Sequence, residues 1–149
     1  MFVALIALAQ TVTPLDVEGV WYTEGRQSQV EIARDGDSVT GSIIWYVDVE
    51  QTPVFDEMNP EETLQDKEIL GLKIIQGFEE GRNRWRRGQI YDPTVGKVYR
   101  SAIFRIDEDR LGVQGCVGPI CRTLEWERVP DNDVTRIDRA PLTRNAPTE

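Results

Sequence analysis

Eight short runs of alternating apolar and polar residues, each ended by turn-forming residues, constrain the fold of this 149-residue chain more than any single motif. They fall near residues 19–24, 28–34, 38–47, 69–78, 84–91, 97–106, 110–116 and 121–128. Asp35-Gly36-Asp37, Glu79-Glu80-Gly81-Arg82-Asn83 and Asp107-Glu108-Asp109 punctuate them. The third run places Val39, Gly41, Ile43, Trp45 and Val47 on one side, the pattern of a strand with one buried face. Runs this closely spaced leave no room for crossover helices, so neighbours must pair antiparallel. The expected class is all-β: an eight-stranded antiparallel up-and-down barrel. Its interior is just wide enough to be filled by side chains or to hold one small ligand, and closure removes exposed sheet edges.

The densest turn chemistry lies in Gly88–Tyr99. Asp92 can accept from backbone amides two residues on, Pro93 pre-sets φ, and Gly96 supplies a left-handed or bulged residue before the return strand. These three are assigned a structural role in the turn. The long connection 48–68 is the one place for a helix. Asn59 as N-cap, Pro60 at the first position and Glu62 at the third predict one or two turns beginning at Pro60. The barrel domain spans 17–129. Beyond it, residues 130–149 are polar, contain Pro130, Pro141 and Pro147, and are expected to be extended or disordered.

Residues 1–9 hold an uncharged apolar run ending in Ala7-Leu8-Ala9, the pattern of a secretory h-region with a small-x-small cleavage site. Export to the periplasm is the expectation, a buried first strand the alternative. Cys116 and Cys121 fit a disulfide across a hairpin mouth in that compartment, with a reduced pair as the other reading.

The chain has no histidine, which removes Ser-His-Asp and Cys-His machinery and every His-ligated metal site. A net charge of −9 argues against nucleic-acid binding. Between Asp48 and Ile69 stand Asp48, Glu50, Asp56, Glu57, Glu61, Glu62, Asp66 and Glu68 against Lys67 alone. Of these, Asp56, Glu57, Glu61 and Glu62, with Asn59, could offer oxygens to calcium, but no EF-hand spacing accompanies them. No metal, cofactor or catalytic residue is assigned. Arg82, Arg84, Arg86 and Arg87 around Trp85 could pair with the acidic connection, contact anionic headgroups through Arg84, Arg86 and Arg87, or simply be solvated.

Gly19-Val20-Trp21 on the first strand and Trp126-Glu127-Arg128 at the end of the last resemble the lipocalin-like (calycin) superfamily. That resemblance implies that Gly19 and Trp21 close one barrel end with a basic residue of the final strand over the indole: Arg128, or second Arg122. Further matches are Gly41-x-Ile43-x-Trp45, Asp56-x-x-Asn59-Pro60, Gly71-Leu72, Gly77-Phe78, Trp85-x-x-Gly88-x-Ile90-Tyr91-Asp92-Pro93-x-x-Gly96-Lys97-x-Tyr99, Gly115-Cys116 and Cys121-Arg122. Over residues 17–129 the pattern resembles the bacterial exported domain-of-unknown-function family 2147, with which no established activity or ligand comes. The implied protein is a non-enzymatic binder of a small, partly apolar molecule, with Trp21, Trp45, Tyr91, Tyr99 and Phe104 as candidate ligand contacts. The alternative is a structural or interaction module of the cell envelope with a side-chain-filled barrel.

Overall fold

The computed structural model describes residue 4 and residues 11–144, so the leader-like run, residue 4 apart, and residues 145–149 lie outside the described residues. Nine strands form one sheet: β1 (Gly19–Tyr22), β2 (Ser28–Asp35), β3 (Ser38–Tyr46), β4 (Lys73–Gln76), β5 (Glu79–Glu80), β6 (Trp85–Asp92), β7 (Lys97–Arg105), β8 (Arg110–Val117) and β9 (Ile120–Arg128). All pairings are antiparallel, in the order β4-β3-β2-β1-β9-β8-β7-β6-β5. The sheet closes where β4 pairs back onto β6 through Ile75↔Ile90 and Gln76↔Gln89. Eight strands thus make a closed antiparallel barrel, and the short β5 is an extra strand beside β6.

The fourth strand is shorter than its apolar run because Gly71 and Gly77 adopt φ of 80° and 77° and bend the chain out of line at each side. At the turn after β6, the Asp92 carboxylate accepts from Thr94 N at 2.9 Å and Thr94 Oγ1 at 2.6 Å. Gly96 takes φ 67° and its amide returns to Asp92 O at 2.8 Å. In β3 the simple alternation fails. Val30 pairs with Ile43 but Gln29 with Trp45, so Ile44 is a bulged extra residue. The bulge turns Trp45 to the same side as Gln29 and brings Tyr46 inward, where it is buried. A second bulge in β6, between Trp85 and Gly88, contains Arg87 at φ 57°.

The short helix expected from Pro60 is reduced to 3-10 form and starts two residues later. A single 3-10 turn covers Glu62–Leu64, and Asn59 makes no helix cap. Its Oδ1 instead accepts from Glu61 N at 2.8 Å, while its amide donates to Asp56 at 2.8 Å, the local bonding by which Asn favours turns over helices.

Of the tail, expected to be extended or disordered, residues 130–144 have no regular element beyond a 3-10 turn at Asp131–Asp133, and they lie against the barrel and the acidic connection. Buried Gln29 donates to Asp133 O at 3.0 Å and accepts from Thr135 N at 2.9 Å. Arg136 pairs with Glu31 at 2.6 Å, Arg139 with Glu68 at 2.6 Å, and Arg144 with Glu57 and Asp66. Backbone bonds Glu68 N→Leu142 O and Arg144 N→Asp66 O add a strand-like seam. Composition gave no hint because the ordering comes from partners 71 to 106 residues away rather than from apolar periodicity within the segment.

Candidate functional site

The two ends of the barrel differ. One end is sealed by residues 13–17, which cross it before β1 begins. Trp21 Nε1 donates to Val17 O and Trp85 Nε1 to Leu15 O, each at 3.0 Å, so both buried indoles satisfy their polar edge on this plug. Arg105 is the cation over Trp21, 4.9 Å from the ring centroid. This corrects the expectation for Arg128. Arg128 stands beside Trp21 in register but at the end of β9, where it leaves the barrel toward Asp131 at 3.8 Å. Arg122 lies toward the other end of β9, opposite Gly115. Arg105 is buried, and its guanidinium donates to Asp16 O at 2.9 Å, Asp107 O at 2.6 Å and Glu108 O at 2.7 Å. Burial, and then the nearby Arg128 charge, lower its hold on its proton from the ordinary value; these carbonyls make the buried charge tolerable.

Above this base Trp21, Val30, Ile32, Ile75, Trp85, Ile103 and Leu111 have essentially no surface that a water molecule could touch. This half is a packed core. Phe78 fills the space opposite Gly88, where a Cβ would stand 2.3 Å from its ring.

Toward the other end the inward residues of the last strands become smaller and less covered. Ile90 faces Tyr99, Gly88 faces Ser101, Ser101 faces Gly115 and Gly115 faces Arg122 across neighbouring strands. Ile90, Tyr99, Gly115 and Leu124 are half-buried and Arg122 is exposed. A Cβ on Gly115 would meet only the Cβ of Tyr99, at 3.9 Å. Ser101 is 4% exposed, and its hydroxyl has no hydrogen-bond partner among the described residues. An unpartnered buried hydroxyl beside an unfilled position is the arrangement most suited to receiving a polar group from outside.

Of the five candidate ligand contacts, this places Tyr99 alone on the inner wall of the open half. Trp21 belongs to the sealed base. Trp45 is turned to the outer side by the Ile44 bulge, and Phe104 lies opposite the side of buried Ile103 and Arg105, its ring over Gly112. Tyr91 donates to Asp56 Oδ1 at 2.6 Å, tying β6 to the acidic connection; burial and then Asp56 raise its phenol well above the ordinary range. Nothing local in the sequence marks Ser101, Gly115 and Leu124 as site residues. Only the parity of β7 to β9 identifies them, and parity requires knowing which strands carry bulges.

The acidic connection is tied down by direct pairs. Asp56 engages Asn59 and Tyr91, Glu57 engages Arg144, and Asn59 Oδ1 holds Glu61 N, so the side-chain oxygens of Asp56, Glu57 and Asn59 serve internal bonds. Among the described residues no cluster of three or more Cys, Asp or Glu is arranged to hold a metal. Glu68, fully buried, accepts from Arg139, Tyr46 OH and Leu142 N. Burial would raise its carboxyl, but those bonds and the Arg139 charge outweigh it and pull it down to about 2. Met58 O lies where a Cβ on Gly96 would fall, 1.8 Å away, so the connection rests on the β6–β7 turn.

Arg84, Arg86 and Arg87 sit beside Trp85 at the sealed base, with Arg87 3.6 Å from Glu79. A surface hollow of about 560 Å³ lies outside the barrel wall between Gly19, Val20, Arg128, Val129 and the tail residues Asp131, Val134 and Arg136; it is broad and open. Cys116 and Cys121 face each other across β8 and β9 and are joined by a disulfide.

Comparison with known proteins agrees with this geometry. The chain is similar to a solved structure described as "Protein HP1028 from the human pathogen Helicobacter pylori belongs to the lipocalin family", with a TM-score of 0.68 and 19% identity over 79% of this chain and 86% of that one. No curated protein matches. Residues 19–128 match the model of the family described as "Uncharacterized protein conserved in bacteria (DUF2147)". With that match spanning β1 to β9, the chain belongs to the DUF2147 family and has a lipocalin-like barrel fold.

Proposed function

We propose that this protein is an exported, non-enzymatic barrel that holds a small, partly apolar molecule in the open half of its interior. The observation that carries this reading is the Ser101 hydroxyl, buried without a partner among the described residues beside the unfilled face of Gly115. Ile90, Tyr99 and Leu124 supply apolar wall around it, and Arg122 stands at the rim. The packed lower half limits the occupant to a small molecule or to one end of a longer one. Export is supported by the apolar run before Gln10 and by the Cys116–Cys121 disulfide.

Native mass spectrometry of protein purified from its own envelope tests the reading. A bound mass is expected, and Gly115→Leu, which fills the open half at a position of ordinary φ, is expected to exclude it. Wild-type protein without any bound mass would reject the proposal. A second reading, a structural module of the cell envelope, is favoured by the packed lower half; in-cell crosslinking to one defined partner without small-molecule occupancy would support it.

A further inference from the structure

We propose that the disulfide-closed tip of the β8–β9 hairpin, with the cations around it, is a docking surface for an anionic lipid bilayer. Val117 and Ile120 pair across this tip, flank Gly118-Pro119, and are 66% and 75% exposed. Val98, on the strand adjoining β8, is 56% exposed. Exposed large apolar side chains clustered on a turn call for a partner more than scattered ones do. The Cys116–Cys121 bond closes the tip directly beneath this pair, and Arg100 donates to Gly118 O, so the apolar group is presented on a fixed backbone and loses little freedom on docking.

The charges nearby choose the partner. In a chain with 26 acidic and 17 basic residues, segments 95–106 and 111–124 contain no carboxylate but hold Lys97, Arg100, Arg105 and Arg122. Arg105 is buried at the sealed base and Lys97 stands opposite Asp92, which leaves Arg100 and Arg122 beside the tip. Of the acids flanking these segments, Asp92 stands opposite Lys97, and Asp107 and Glu125 pair with Arg110. The acidic connection is paired with tail arginines at Glu57, Asp66 and Glu68. An apolar wedge with a cationic collar fits a surface with anionic headgroups over an apolar interior. It lies at the open end of the barrel, where Val117 continues the inner wall beyond Gly115, so docking turns the mouth toward the bilayer. Arg84, Arg86 and Arg87 belong to the opposite end and take no part.

Co-sedimentation of full-length protein with phosphatidylcholine vesicles, with and without phosphatidylglycerol, tests this. Binding is expected on the anionic vesicles and is expected to weaken at high salt. The V117S/I120S variant should bind at least about tenfold more weakly, and Arg122→Gln about fivefold more weakly. The R84A/R86A/R87A variant should bind as the wild type does. Unchanged thermal melting establishes that the variants are folded. Absence of binding, binding retained by V117S/I120S, or binding lost in the triple arginine variant would overturn the proposal. A dimer in solution that V117S/I120S dissolves, without vesicle binding, would assign the tip to a second copy instead. The readout does not depend on a molecule in the barrel.

Discussion

A guanidinium at 9% exposure is tolerable at position 105 because three backbone carbonyls and an indole face receive it. Arg105→Met would keep length and apolar contact but leave the carbonyls of Asp16, Asp107 and Glu108 without that donor. The expected loss is about 2–4 kcal/mol by urea denaturation. Arg128→Met, at an exposed strand end, is expected to cost less than about 1 kcal/mol. Equal losses would return Arg128 to the closing role. Glu68 gives a pH test. Its folded pKa of about 2 lies below the ordinary 4.5, so its stabilisation is present above pH 4.5 and is lost as pH falls toward 2. The contribution is on the order of 3 kcal/mol. In Glu68→Gln that part of the acid dependence should disappear from denaturation curves measured between pH 5 and 2.

At the scale of elements, the β6–β7 turn and the connection 47–72 are adjusted to each other at Gly96. Gly96 and Gly36 adopt similar φ, 67° and 60°, but only Gly96 has a carbonyl, that of Met58, where a Cβ would be. Gly36→Ala should cost about 1 kcal/mol of left-handed strain, and Gly96→Ala at least about 2 kcal/mol more. Thermal melting compares them, and similar melting points would mean that the connection does not rest on this turn. Turn chemistry and alternation made the strands and this hairpin legible in the sequence, because both are local signals. The bulge at Ile44 was not legible. One inserted residue exchanged Trp45 for Tyr46 and so placed the phenol that reaches Glu68. The choice of Arg105 over Arg128 failed for a related reason: both have inward parity and both end a strand at the same barrel end, but Arg105 stands level with Leu111 and Trp126 while Arg128 lies two residues beyond Trp126. Ser101 was invisible as a site because its distinction is the absence of a partner.

The whole molecule is a barrel fastened by its own tail. Three tail arginines are paired with acids: Arg136, Arg139 and Arg144 reach Glu31, Glu68, Glu57 and Asp66 in distant parts of the chain. Ending the chain at Asp133 should lower stability by at least about 2 kcal/mol, because buried Gln29 and Glu68 lose donors. Amide exchange is expected to quicken in residues 48–68 while β6 to β9 stay protected. Uniform loss of protection would mean that the tail supports the barrel itself rather than the connection.

The same fastening sets an order of events during synthesis. Gln29 must wait for Asp133, 104 residues later, and Glu68 for Arg139, 71 residues later. At ordinary elongation rates the first interval is roughly five to twenty seconds. The hairpins, whose partners are neighbours in sequence, can form far sooner. The acidic connection is therefore the last part of the described chain to be locked, and until the C-terminal residues emerge the nascent barrel carries it unfastened beside its open mouth.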